Sequence, residues 1–224
     1  MEEITLWWVN CANLPRTQDF YLTASEQARC RELRREEDRI RYQLIHSALH
    51  EILAKELNCA PSELDFVYGP NQKPLLRDAQ LKFNLTHTVD AALIALSPTF
   101  EVGVDLEKNL PLEALALAKR FFAPCEADLI ARLPPEEQGS SCLKLWCGKE
   151  ALTKMIGGKL YDYLEYDLHS WLECEAISVE IQGICGNLHK LDLPNGYIGA
   201  LAVAAPENVR YQLKWCSYGK NSST

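Results

Sequence analysis

The sequence predicts an α+β fold built as two similar halves that meet near residue 100. Three observations point there. Ile45, Leu49, Ile52, Leu53 and Leu57 recur at helical spacing and mark a helix buried along one face. Val102, Val104 and Leu106 instead alternate, as the core side of a strand does. Finally, residues 87–98, a turn, an alanine-rich strand and Pro98, are echoed by residues 195–206, which end on Pro206. The chain has 224 residues, 47% of them hydrophobic, enough for one or two compact domains with a core.

Taken in order, Ile4 to Val9 reads as a first strand. Thr23-Ala24-Ser25-Glu26 has the form of a capping box and opens a helix running to about Leu57. Ala60-Pro61-Ser62-Glu63 starts a short helical turn, Phe66-Val67-Tyr68 is a short strand, and Gly69 to Pro74 is a loop. Phe83 to His87 leads into a strand from Ala91 to Leu96, and Glu101 to Glu107 is another. Pro111 opens a helix through Phe122, and Pro124 opens one to about Leu133. Pro134 to Ser141 is polar and reads as an exposed connection before a helix from Leu143 to Ile156. Short strands and turns fill Trp171 to Trp215. The expected organisation is therefore a first half over residues 1–100, a second over 101–216, and a polar tail over 217–224.

Bulk properties narrow the function. Net charge is −8, whereas a general nucleic-acid binder is normally basic, so an anionic substrate needs a local cation cluster or a metal. No apolar run approaches the about 20 residues of a membrane span. The start, Met1-Glu2-Glu3-Ile4, lacks a charged-then-apolar signal pattern, and the protein is read as cytoplasmic, without a membrane partner. Nine cysteines show no C-x-x-C pair, which predicts buried small hydrophobes and no disulfide framework.

Four groups of residues carry chemistry. Asp105 and Glu107 flank Leu106 on a strand, so both carboxylates share a face. Their repulsion is relieved by a hard divalent cation, although two surface acids on an edge give the same pattern. In Trp146-Cys147-Gly148-Lys149-Glu150-Ala151-Leu152-Thr153-Lys154, positions 146, 150 and 154 lie along one helix face. Glu150 can ligate a metal or take a proton, and Lys149 and Lys154 can hold phosphate. A plain Glu–Lys surface pair fits the spacing too. Gly148, costly inside a helix, suggests a close approach there. Arg29, Arg31, Arg34, Arg35, Arg39 and Arg41 form either a salt-bridged solvated face or the wall of an anion site. Last, Asn84-Leu85-Thr86-His87 places a hydroxyl beside an imidazole, which suits either a phosphate donor or a structural histidine.

Together these pieces resemble the Sfp-type 4'-phosphopantetheinyl transferase family. Asn84-Leu85-Thr86-His87 is similar to its F-N-x-S-H block, Gly103-Val104-Asp105-Leu106-Glu107 to its G-[IV]-D-[IL]-E block, and residues 146–154 to its W-x-x-K-E-[AS]-x-x-K block. Lys73-Pro74 matches its G-K-P loop, and Ala118-Lys119-Arg120-Phe121-Phe122 resembles the helix after the D-x-E block. The likeness covers roughly residues 25 to 205. It implies two α+β halves related by pseudo-twofold symmetry, with the active site in the cleft between them. It implies transfer of the 4'-phosphopantetheine arm of coenzyme A to a serine of an apo acyl, peptidyl or polyketide carrier protein, by a monomer. Asp105, Glu107 and Glu150 are the implied Mg²⁺ ligands. Arg29, Lys73, Asn84, Thr86, His87, Lys149 and Lys154 are the implied coenzyme A contacts, and Glu150, Lys154 and Asp105 the catalytic set. A non-catalytic coenzyme A or carrier binder and a Mg²⁺-dependent phosphohydrolase are the alternatives. The sequence departs from the family pattern at three places. Thr86 replaces serine, Asn71-Gln72 replaces a glycine, and Glu26 stands where a lysine is common. Lys119-Arg120-Phe121-Phe122 is the expected carrier-facing patch.

Overall fold

The computed structural model describes residues 2–14, 20–78, 80–194, 196–206 and 209–218. Ten strands and five α-helices follow one another among them: β1 (Glu2–Asn10), α1 (Ala24–Glu32), α2 (Glu36–Leu57), β2 (Phe66–Tyr68), β3 (Pro74–Leu76), β4 (Lys82–His87), β5 (Ala91–Ser97), β6 (Val102–Lys108), α3 (Ala114–Phe121), α4 (Pro124–Arg132), α5 (Pro135–Ile156), β7 (Ala176–Ile181), β8 (Ile184–Lys190), β9 (Tyr197–Val203) and β10 (Tyr211–Tyr218). They form an α+β fold with two four-stranded sheets, ordered β10-β1-β5-β4 and β6-β9-β8-β7, and a β2-β3 ribbon.

The alternation of side chains along a strand builds the layers. On β5, Ala92, Ile94 and Leu96 pack with Ile45, Leu49, Ile52 and Leu53 of α2. The intervening Ala91, Leu93 and Ala95 face the other way and meet Val102, Val104 and Leu106 of β6 and Leu201 and Val203 of β9. On β9, Ala200 and Ala202 then turn to Leu145, Ala151, Leu152 and Met155 of α5. The order of layers is helix, sheet, sheet, helix, and β5 is buried throughout because both of its faces are covered. In each half a strand, a 22-residue helix and an antiparallel strand pair follow in sequence, and β1-β5-β4 in one sheet has the order of β6-β9-β8 in the other. The two echoed segments become β5 and β9; Asn195, at the start of the second, lies outside the described residues.

Four expectations need correction. The helix expected from residue 23 to 57 is two: the chain leaves α1 at Leu33 in extended backbone and re-enters α2 after Arg35. The capping box is present, but Glu26 also accepts from His46 and His50, which folds α1 back against α2. The connection expected over 134–141 is instead the first turns of α5, because Pro135 sits at the helix start, where its missing N–H costs nothing, and Glu136 and Glu137 favour the positive end of the helix. The helix expected from Pro111 begins only at Ala114. Finally, β10 returns to the first sheet and pairs parallel with β1, Leu6 opposite Trp215, so the second half does not run unbroken to residue 216. Ser217 and Tyr218 belong to this strand, and 219–224 lie outside the described residues.

All nine cysteines are free thiols, as expected, but only Cys30, Cys142 and Cys147 are buried; Cys125, Cys174 and Cys185 are exposed. Among the described residues no helix is long and apolar enough to cross a membrane.

Candidate functional site

The site is built where the edge strands of the two sheets abut. The apolar residues of β6 face the other sheet, so Gly103, Asp105 and Glu107 face α5. Gly103 sets the spacing: a Cβ there would lie 2.0 Å from the Ala151 carbonyl oxygen and 2.4 Å from the Met155 nitrogen. Only glycine allows the strand to run against the helix backbone. Two residues on, Asp105 Oδ1 lies 2.6 Å from Lys154 Nζ, which is also 3.6 Å from Glu150 Oε2.

β4 completes the arrangement from the other sheet. Among the described residues no strand pairs with the outer edge of β6, so its Val104 N–H needs another acceptor. Asn84 supplies it, with Oδ1 at 2.9 Å. Thr86, two residues on and on the same face, donates from Oγ1 to Asp105 Oδ1 at 3.2 Å, and Lys154 Nζ lies 3.4 Å from the same hydroxyl. His87 is exposed to solvent at the end of β4, yet partial desolvation by the protein around it and then His46, Arg41 and Lys154 nearby press it towards the neutral form. Arg41 and Lys154 make this mouth suited to an anion. Arg41 belongs to the arginine-rich run read as a solvated face or an anion-site wall, whereas His46 was not singled out from sequence.

Electrostatics favour a further cation. Asp105 is buried, and its Oδ2 has no hydrogen-bond partner, a loss of about 1–3 kcal/mol for a buried acceptor. Glu107 is pushed above the ordinary carboxyl value by burial, Asp105 and Glu150. Glu150 is raised by burial and Asp105 despite Lys154. Burial opposes the charge of Lys154, yet Asp105 and Glu150 outweigh it and hold the ammonium above its usual range. Three convergent carboxylates with an orphaned oxygen fit a hard divalent ion. Their oxygens do not all lie within 4.8 Å of one another, and Lys154 stands between Asp105 and Glu150.

Other expected contacts fall elsewhere. Lys149 is not at the site: it is buried, paired with Glu126 at 2.8 Å, and lies over the Phe122 ring. Lysine at 149 points to the opposite side of α5 from Lys154 because the two are five residues apart. Gly148 is explained by Trp171, whose ring would sit 2.5 Å from a Cβ, and not by a ligand. Lys73 uses its three N–H donors on Glu101 Oε2, Val102 O and Met155 O, clamping the loop to β6 and to the end of α5. Asn71 Nδ2 caps the same end through Gly157 O at 2.8 Å. Asn71 and Gln72 have φ of 52° and 63°, the left-handed region where glycine is favoured. These two positions thus follow a glycine-type path without being glycine. A cavity of about 200 Å³ between the halves is lined by Asn71, Lys73, Asn84 and Lys154. Arg29 is exposed and paired with Glu32 at 2.8 Å. In the patch at 119–122, Lys119 and Arg120 are exposed, whereas Phe122 is core.

The sequence profile of the 4'-phosphopantetheinyl transferase superfamily matches residues 101–202, which hold Asp105, Glu107, Glu150 and Lys154. The chain is 40% identical over 140 residues to a putative 4'-phosphopantetheinyl transferase of Synechocystis sp., a match covering 61% of this chain and 57% of that protein. It is 36% identical over 141 residues to the 4'-phosphopantetheinyl transferase HetI of Nostoc sp., covering 61% and 60%. A 4'-phosphopantetheinyl transferase of Bacillus subtilis is 25% identical over 199 residues, covering 88% and 82%. Matches to the first two thus span less than two thirds of those relatives. Over residues 101–202 the chain is thus similar to the 4'-phosphopantetheinyl transferase superfamily.

Proposed function

We propose that this protein transfers the 4'-phosphopantetheine arm of coenzyme A to a serine of an apo carrier protein, releasing adenosine 3',5'-bisphosphate. The observation that carries the reading is the meeting of Asp105 and Glu150, from separate segments, on one ammonium at 2.6 and 3.6 Å, beside a buried carboxylate oxygen without a partner. The names of the relatives support the reaction class.

Asp105, Glu107 and Glu150 are the residues that would hold Mg²⁺, which supplies charge neutralisation on a diphosphate when bound. Lys154, kept charged by its carboxylate neighbours, donates to a phosphate oxygen and lowers the cost of negative charge there. His87, at the cationic mouth with Arg41 and His46, holds the anionic end of coenzyme A. Thr86 and Asn84 fix β4 against β6, so the donors stay in register. Glu150 takes the proton from the carrier serine. The serine oxygen then attacks the β-phosphorus, and the bond to the leaving bisphosphate breaks.

The test is intact-mass analysis of a panel of apo carriers incubated with the full chain, coenzyme A and Mg²⁺. A gain of one phosphopantetheine on any carrier supports the reading and identifies the partner. Release of inorganic phosphate with no carrier modified would point to a phosphohydrolase, and no turnover to a binding protein.

A further inference from the structure

A second group of metal-type donors lies outside the site described above. Cys125, Asp167 and His169 each offer one ligand atom, and the three atoms lie within 4.8 Å of one another. Cys125 is in the first turn of α4, more than 40 positions before the others, so sequence spacing gave no hint of it. His169 Nδ1 is 2.8 and 2.9 Å from the two oxygens of Asp167. All three residues are exposed, so an ion has open access and water can fill the remaining positions.

The backbone beneath the cluster is unusually well fixed. Glu126, next to Cys125, is wholly buried and accepts from Leu168 N, between Asp167 and His169, at 2.8 Å. The same carboxylate is paired with Lys149, whose Nζ also donates to the Tyr166 carbonyl. Leu168 and Trp171 are themselves buried, and His169 N donates to Asp167 Oδ1 at 2.9 Å. A buried ion pair thus holds the two ligand-bearing segments together while leaving the donors at the surface. Such support beneath the ligands is what metal sites require.

We propose that Cys125, Asp167 and His169 form a binding site for a divalent transition metal of borderline softness, with Zn²⁺ as the type. One sulfur, one imidazole nitrogen and one carboxylate oxygen suit Zn²⁺ and discriminate against Mg²⁺, which prefers oxygen alone. Donors around a tetrahedral Zn²⁺ are about 3.3–3.8 Å apart, so rotation of exposed side chains closes the site without backbone movement. On binding, the Cys125 thiol releases its proton to solvent and His169 exchanges its contact with Asp167 for the ion. The ion would tie the start of α4 to residues 167–169, over the ion pair that anchors Lys149 beside Glu150.

The test uses the full chain with Mg²⁺ in excess, so that oxygen-only sites are filled. Titration with Co²⁺ should give a one-equivalent thiolate-to-metal charge-transfer band, lost in Cys125→Ser and shifted to at least about tenfold weaker affinity in His169→Ala. In unaltered protein, stoichiometric Zn²⁺ should slow alkylation of Cys125 at least tenfold, read by peptide mass, while the exposed Cys174 and Cys185 continue to react. No band, a band that survives Cys125→Ser, or alkylation of Cys125 indifferent to Zn²⁺ would overturn the proposal. The alkylation arm needs no variant and so does not depend on how Cys125→Ser folds.

Discussion

At the scale of single residues, the site places like charges together and compensates them incompletely. Glu107 illustrates this: burial, Asp105 and Glu150 raise its carboxyl above the ordinary value of 4.5. A carboxyl whose folded value is raised costs the fold stability once it ionises, and the cost grows as pH rises from the unfolded value through the folded one. Without divalent metal, Glu107→Gln should therefore melt higher than the parent protein at pH 7. The gain should vanish well below pH 4.5, where both are neutral, and should reverse when Mg²⁺ is added. Thermal melts across pH, with and without Mg²⁺, check all three. The D-x-E and K-E-x-x-x-K patterns were legible in the sequence because strand and helix periodicities put their acids on common faces. Lys149 was misplaced because a motif does not show which lysine of two turns inward; that depends on Glu126, 23 residues away.

At the scale of elements, the site depends on how closely α5 lies on β6. Gly103→Ala places a methyl within 2.0 Å of the Ala151 carbonyl oxygen, with backbone on the other side, so nothing can rotate away. The expected cost is about 3 kcal/mol or more, read by denaturant unfolding, together with loss of the Asp105–Lys154 register. On the far side of α5, the Lys149–Glu126 pair is fully buried. Lys149→Met should cost about 3–5 kcal/mol by removing the cation from the buried Glu126, and Glu126→Leu added to it should recover much of the loss. If the double variant is no better than the single one, the pair is not the source of the cost. The break between α1 and α2 was not legible, since no proline or glycine marks residues 33–35. What breaks the helix is tertiary: Glu26 reaches His46 and His50, and hydrogen bonds from both hold its carboxyl well below the usual range although burial opposes the charge. The start of α5 was missed because a proline-rich polar stretch also describes a helix beginning.

At the scale of the molecule, the edge strands β4 and β6 meet, the Lys73 and Asn71 side chains bridge from the first half to the end of α5, and β10 closes the chain back onto β1. The two echoed segments were legible as strands because their apolar residues repeat; the return of β10 was not, since a strand's partner is not written in its own residues. On the proposed reading, acids from both β6 and α5 share one divalent cation. Calorimetric titration of Mg²⁺ into the full chain with coenzyme A present tests it without any carrier. One Mg²⁺ should bind, and Asp105→Asn and Glu150→Gln should each abolish or greatly weaken that binding. Binding that is unchanged in either variant would contradict the account.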